Sequence, residues 1–132
     1  MVTRMSATYH GDLRCELTHE KSHAKMYTDA PIDNHGKGES FSPTDLLASS
    51  VLTCIMTIIG IRAQSQNIEL KGMQGSVEKY MASNPRRISR LDIDISLPNL
   101  DEKDRAWLIE EGCSCPVCYS ISDKIELNIN FN

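Results

Sequence analysis

The longest apolar stretch of the chain runs from Ser42 to Gln66, and its hydrophobic positions recur at helical spacing. One stripe consists of Leu47, Val51, Cys54, Ile58 and Ile61. The opposite side is small and uncharged, with Leu46, Ser50, Thr53 and Thr57. A helix without a charged face is enclosed by protein on most sides, and its interruption by Ser, Thr and Gly argues against a membrane span. The pattern predicts a buried central helix with Cys54 near its middle.

The start of this helix carries three capping signals. Ser42 is a favoured N-cap residue, and Pro43 suits the first helical position. Asp45 stands where the carboxylate of a capping box reaches back to the backbone of the cap residue. The helix is therefore predicted to begin at Pro43.

Alternating apolar and polar positions before the central helix predict strands. Residues 5–9, 13–17 and 24–28 show this alternation and are separated by tight turns. Three short strands in succession favour an antiparallel meander. Arg14 falls on the face opposite the apolar set of the second strand.

Strand patterns return after the central helix. The elements predicted there are a hairpin of 72–81 and 88–97, a helix from Asn99 or Asp101 to about Glu111, and a closing strand over 125–131. No repeat or linker divides the chain. The whole pattern predicts one α+β domain over residues 1–132, with antiparallel sheets around a long central helix.

Composition narrows the range of partners and compartments. With 132 residues, 40% hydrophobic and 24% charged, the chain is long enough for one core. A net charge of −4 argues against nucleic acid or an anionic membrane as a partner. The first residues lack a secretory hydrophobic region, and five cysteines without such a signal favour a reducing, cytoplasmic location.

Two cysteines are candidates for redox chemistry. Pro116 at a first helical position would make Cys115 the cap of a short helix, where amides and the helix dipole favour a thiolate. Cys54, in an apolar setting, would have its pKa raised unless a cation approaches it. Arg62, two turns along, and Arg14, from the strand region, are the two arginines that could supply that charge.

The other cysteines allow further interpretations. Cys113, Cys115 and Cys118 have spacings that suit zinc, but no second ligand pair follows at regular spacing. The Cys115–Cys118 spacing also has the form of a thioredoxin-like redox pair, although a helix rather than a strand is predicted before it. Cys15, on the apolar face of a strand, is predicted to be a core thiol.

Several segments together resemble the OsmC/Ohr family of thiol peroxidases. They are the run Phe41-Ser42-Pro43-Thr44-Asp45-Leu46-Leu47 followed by Cys54, the run Cys115-Pro116-Val117 followed by a final strand, the opening Tyr9-His10-Gly11-Asp12-Leu13-Arg14, and Leu97-Pro98. The similarity spans nearly the whole chain. It implies an intertwined homodimer with the long helices back to back and two sites at the interface.

The resemblance also implies roles for particular residues. Cys54 would be the peroxidatic cysteine, Cys115 the resolving cysteine that forms a disulfide with it, and Arg14 the cation that holds the Cys54 sulfur as a thiolate. Asp45 would either orient this arginine or only cap the helix. It stands next to Thr44, where organic-hydroperoxide-resistance members carry a glutamate.

The implied activity is reduction of organic hydroperoxides by the two-cysteine cycle, as a defence against oxidative stress. No bound cofactor is expected, and an external dithiol such as dihydrolipoamide would reopen the disulfide. The roles of Cys113 and Cys118 stay open. The alternative hypothesis is a non-enzymatic dimer of the same fold that binds a metal or a small ligand.

Overall fold

The computed structural model describes all 132 residues, which divide into two compact units, Met1–Leu46 and Leu47–Asn132. In the first unit, β1 (Met5–Gly11), β2 (Arg14–His19) and β3 (Ala24–Asp29) form an antiparallel sheet in the order β1-β2-β3. The predicted meander is therefore confirmed. Between β1 and β2, Asp12 and Leu13 have φ of 53° and 63°, which is the backbone of a type I′ hairpin turn.

Most side chains of this first sheet are exposed in the single chain. Met5, Tyr9, Met26 and Tyr27 are among its exposed large apolar residues. Only the end of β3, at Thr28 and Asp29, is buried. After β3 the chain makes a single 3-10 turn at Ile32–Asn34 and then enters the long helix. The first sheet therefore presents several large apolar side chains at its surface.

The long helix α1 (Pro43–Ser65) begins with the predicted capping box. The Asp45 backbone N–H donates to Ser42 Oγ at 3.1 Å, and the Ser42 N–H donates to Asp45 Oδ2 at 2.9 Å. Each residue thus satisfies a backbone donor of the other, which fixes the first turn. By length and composition alone, α1 would qualify as a membrane span, a weak criterion that core helices of soluble proteins also meet.

The buried face of α1 differs from the predicted one. The buried stripe consists of Ala48, Val51, Ile55, Ile59 and Ala63, and it shares only Val51 with the expected stripe. Leu47, Thr53, Thr57 and Ile61 are exposed, and Cys54 is half-buried. The prediction that the helix is enclosed on most sides is therefore wrong for the single chain, because one apolar and uncharged side of α1 has no cover there.

The second unit holds a sheet with the order β4-β5-β6, made of β4 (Gln74–Ala82), β5 (Arg87–Ser96) and β6 (Glu126–Phe131). The β4–β5 hairpin is antiparallel as predicted, but β6 pairs with β5 in parallel, so this sheet is mixed. Leu91, Ile93 and Ile95 of β5 are at most 1% exposed. They share one core with the buried face of α1.

Two further helices close the second unit. Helix α2 (Glu102–Gly112) is capped by Asp101, whose carboxylate accepts the Asp104 N–H at 2.8 Å. Of the two predicted caps, Asp101 is therefore the one used. Three residues separate α2 from α3 (Pro116–Ser120), which contains Cys118 and has Cys115 as its N-cap.

Gly112 of α2 packs against Ile59 of α1, and this packing leads to a stability prediction. A Cβ at residue 112 would stand 2.8 Å from Ile59 Cγ1 and 2.9 Å from Ile59 Cδ1. Ile59 is 0% exposed and has no free space to move into. Gly112→Ala is expected to lower the free energy of unfolding by about 1–3 kcal/mol, the usual cost of overpacking.

The measurement is urea denaturation followed by circular dichroism. Glu110→Ala is the matched control, since Glu110 is exposed at the same end of α2 and its replacement should change stability by no more than about 0.5 kcal/mol. Equal midpoints for Gly112→Ala and wild type would contradict the close packing.

Candidate active site

Cys115 is the N-cap residue of α3, as predicted. Its backbone is extended (φ −79°, ψ 142°), and its sulfur accepts the Cys118 N–H at 3.2 Å. Pro116 follows at the first helical position, where its missing N–H costs nothing. The side chain is completely buried, at 0% exposed. The local sequence therefore determines both the orientation of this thiol and its backbone donor.

Cys54 of α1 lies against Cys115. The Val117 N–H and the Cys115 thiol lie close enough to the Cys54 sulfur to shift its pKa. Burial raises the pKa of Cys54, the Val117 N–H lowers it, and the contact with Cys115 raises it further. The structure therefore brings together the two cysteines that the sequence analysis paired, and it leaves Cys54 mostly a thiol at neutral pH in the single chain.

Cys118 is the third member of this cluster, and no role was predicted for it. Its Sγ lies 2.7 Å from Cys115 Sγ, and all five cysteines are free thiols. Burial, the hydrogen bond to Cys115 and negative charge on the neighbouring cysteines raise the pKa of Cys118 to about 12. Cys113, which is exposed, also has a raised pKa, through desolvation and the charge of Cys115.

The surroundings of the thiols are apolar. Ile58, Val117 and Ile121 pack on the same core as the thiols. Across the whole chain, no group of three or more His, Cys, Asp or Glu side chains is arranged to hold a metal ion. The arrangement suits thiol chemistry on an uncharged substrate, because hydrocarbon gains free energy on entering an apolar environment.

Arg14, in the first unit, is held by two carboxylates that the sequence analysis did not name. Its Nε and Nη2 donate to Asp29 Oδ1 and Oδ2 at 2.7 and 2.8 Å, and Nη2 also donates to Glu39 Oε2 at 3.3 Å. The Asp29 side chain is 4% exposed, and the Arg14 hydrogen bonds hold the pKa of Asp29 below its ordinary value. The bidentate pair fixes the plane of the guanidinium.

The feature that could have identified Asp29 as the partner of Arg14 is the strand register, since the two residues are directly opposite each other in the β2–β3 pairing. Asp45 is found in the capping box, and of the two roles considered for it the cap is the one observed. Arg62, the other candidate cation, pairs with Glu111 through Nε and Oε2 at 3.5 Å. Cys15 is half-buried in β2.

Comparisons with known proteins identify the family. The sequence profile of the OsmC-like proteins matches residues 36–130. A candidate osmotic stress induced and detoxification response protein from Psychrobacter arcticus has the same fold with a TM-score of 0.94 and 42% identity, over 100% of this chain and 97% of that one.

More distant structures share the fold alone. An organic hydroperoxide resistance protein OsmC from Legionella pneumophila aligns with a TM-score of 0.79 at 16% identity, over 100% of this chain and 97% of that one. An organic hydroperoxide resistance protein from Elizabethkingia anophelis aligns with a TM-score of 0.78 at 14% identity, over 100% of this chain and 96% of that one. No curated protein matches the sequence. The profile match covers most of the chain, and the chain belongs to the family of OsmC-like proteins.

Proposed function

We propose that this protein is a thiol-dependent peroxidase that reduces organic hydroperoxides. The observation that supports it most is that the Cys115 thiol and the Val117 N–H lie close enough to the Cys54 sulfur to shift its pKa. The family supports the same activity, since relatives of this fold are named organic hydroperoxide resistance proteins. A reducing compartment such as the cytoplasm would keep the thiols ready to react.

The reaction follows from the two thiols. The Cys54 thiolate attacks one peroxide oxygen, the O–O bond breaks, and the alcohol leaves after protonation, so that Cys54 becomes a sulfenic acid. The Cys115 thiol then attacks the Cys54 sulfur and releases water. One hydroperoxide and two thiols thus give one alcohol, one water and one disulfide. An external dithiol, of the dihydrolipoamide type, returns the two electrons.

A cation is needed in the working enzyme, because the raised pKa of Cys54 leaves little thiolate at neutral pH. We assign this role to Arg14, as the family resemblance implies. The ion pairs with Asp29 and Glu39 hold the Arg14 guanidinium in a fixed orientation, which supports this assignment. Asp45 contributes by fixing the start of α1, the helix that carries Cys54.

We also propose that the working form is a homodimer. The exposed apolar side chains of the first sheet and the uncovered side of α1, which includes Leu47, Thr53, Thr57 and Ile61, need a partner surface. A second copy of the chain would supply it, with the long helices back to back as in the family fold. The apolar neighbours of the thiols favour an organic hydroperoxide over hydrogen peroxide.

The test of this function is to trap the sulfenic acid. In the Cys115→Ser variant, one equivalent of cumene hydroperoxide should leave a dimedone adduct on Cys54, because the resolving thiol is absent. Wild-type protein should show far less adduct under the same conditions, since Cys115 consumes the sulfenic acid. If the variant yields no adduct on Cys54, the peroxidase function is wrong.

A further inference from the structure

Cys118 has no role in the two-cysteine cycle, although its sulfur is 2.7 Å from Cys115 Sγ. A disulfide bond measures roughly 2.05 Å, so these two sulfurs need to move little to become bonded. Cys115 also lies close enough to Cys54 to raise the pKa of that thiol. The buried Cys115 sulfur is therefore the common neighbour of the other two thiols.

The central place of Cys115 between the other two sulfurs matters for thiol–disulfide exchange. In that reaction a thiolate attacks one sulfur of a disulfide and the other sulfur leaves. The attacked sulfur must be in reach of both the incoming and the leaving sulfur. We propose that Cys118 is a third redox thiol, which attacks Cys115 in the Cys54–Cys115 disulfide and takes that bond over as a Cys115–Cys118 disulfide. The inference rests on the proposed peroxidase function.

The exchange step is balanced without any further reagent. The S–S bond between Cys118 and Cys115 forms while the bond between Cys115 and Cys54 breaks, and the electron pair of the broken bond leaves on the Cys54 sulfur. The proton that Cys118 gives up is returned by solvent to Cys54. The step moves one disulfide and oxidises nothing, and it leaves Cys54 able to meet a second hydroperoxide.

The electrostatics of the cluster suit this order of events. Burial is the first cause of the high pKa of Cys118, but its hydrogen bond to Cys115 and the charges of Cys115 and Cys54 add to it. A Cys54–Cys115 disulfide carries no charge and has no S–H on Cys115 to form that hydrogen bond. Oxidation of the Cys54–Cys115 pair thus removes contributions that disfavour the Cys118 thiolate, the attacking species, while the burial of Cys118 stays the same.

The exchange also affects how an external reductant reaches the sulfurs of the disulfide. Cys115 is 0% exposed, so an external dithiol has poor access to its sulfur. Cys118 lies on α3, whose Pro116, Tyr119 and Ser120 are exposed, Tyr119 at 76%. Cys54 and Cys118 are both half-buried, so transfer of the disulfide to Cys118 keeps one of its sulfurs within reach of a reductant while it frees Cys54 for the next hydroperoxide.

The experiment is a titration of fully reduced protein with cumene hydroperoxide, without reductant. Wild type is expected to consume two equivalents per chain, and it should end with a Cys115–Cys118 disulfide and a sulfenic acid on Cys54 that dimedone traps. Cys118→Ser should consume one equivalent and stop at the Cys54–Cys115 disulfide, a twofold drop in stoichiometry. Cys113→Ser is the matched control and should consume two, because the exposed Cys113 takes no part in the exchange.

A second measurement needs no variant. After one equivalent, Cys54 of the wild type should become free for alkylation with iodoacetamide while Cys115 and Cys118 stay protected in non-reducing peptide maps. A wild type that stops at one equivalent with Cys54 still bonded to Cys115 would overturn the exchange and leave the peroxidase intact. A wild type that consumes no hydroperoxide would overturn both.

Discussion

The Cys54→Ser variant is expected to reduce cumene hydroperoxide, with dithiothreitol as the reductant, about 10³-fold or more slowly than wild type, the scale on which loss of a catalytic nucleophile acts. A hydroxyl at this place stays protonated and cannot attack the O–O bond at neutral pH. The measurement is the steady-state rate of hydroperoxide loss with protein in fixed amount.

Cys15→Ser is the control for this loss, since it removes a half-buried thiol from β2 without touching the Cys54 cluster. It should keep the wild-type rate. Circular dichroism of both variants shows whether the fold is kept. A Cys54→Ser protein that is folded and retains most of its activity would exclude Cys54 as the nucleophile.

Arg14→Met is expected to slow the same reaction by about 10- to 100-fold at pH 7, through loss of Cys54 thiolate. Burial raises the pKa of Cys54, and a nearby cation would lower it again, because a cation stabilises the charged form of the thiol. Without that cation the raised pKa remains. The reaction rate is proportional to the fraction of Cys54 that is thiolate. In Arg14→Met the rate should therefore rise with pH along a curve whose midpoint lies at a higher pH than in the wild type.

Alkylation of Cys54 by iodoacetamide, followed from pH 6 to 10, measures this midpoint directly. Lys25→Met is the matched control, because it removes a cation from the same sheet, where Lys25 pairs with Glu16 at 3.3 Å, and should leave the midpoint unchanged. The two variants behaving alike would contradict the role of Arg14 and leave Arg62 as the next cation to replace.

Local signals in the sequence predicted the caps correctly. The capping box of Ser42 and Asp45, the cap at Asp101 and the cap at Cys115 each depend on residues within three positions of one another. The strands with clean alternation, such as β5, were also recognised, because a half-buried strand has one apolar and one polar face. The family resemblance identified the Cys54–Cys115 pair.

Features that depend on distant partners were missed. The buried stripe of α1 was misplaced by roughly a quarter turn, because a helix with no charged side leaves its core-facing side undetermined. The Asp29 partner of Arg14 follows from strand register, and the parallel pairing of β6 follows from topology. The contact of Cys118 with Cys115 is local, but the sequence left the role of Cys118 open.

Gly112 has a consequence for chemistry as well as for stability. It rests on Ile59, five residues along α1 from Cys54, and it lies three residues before Cys115. With no side chain at residue 112, the end of α2 that leads to Cys115 lies directly on the part of α1 that carries Cys54. A larger residue there would separate the two sulfurs and slow disulfide formation, so the reactivity of this thiol pair depends on a packing contact in which neither sulfur takes part.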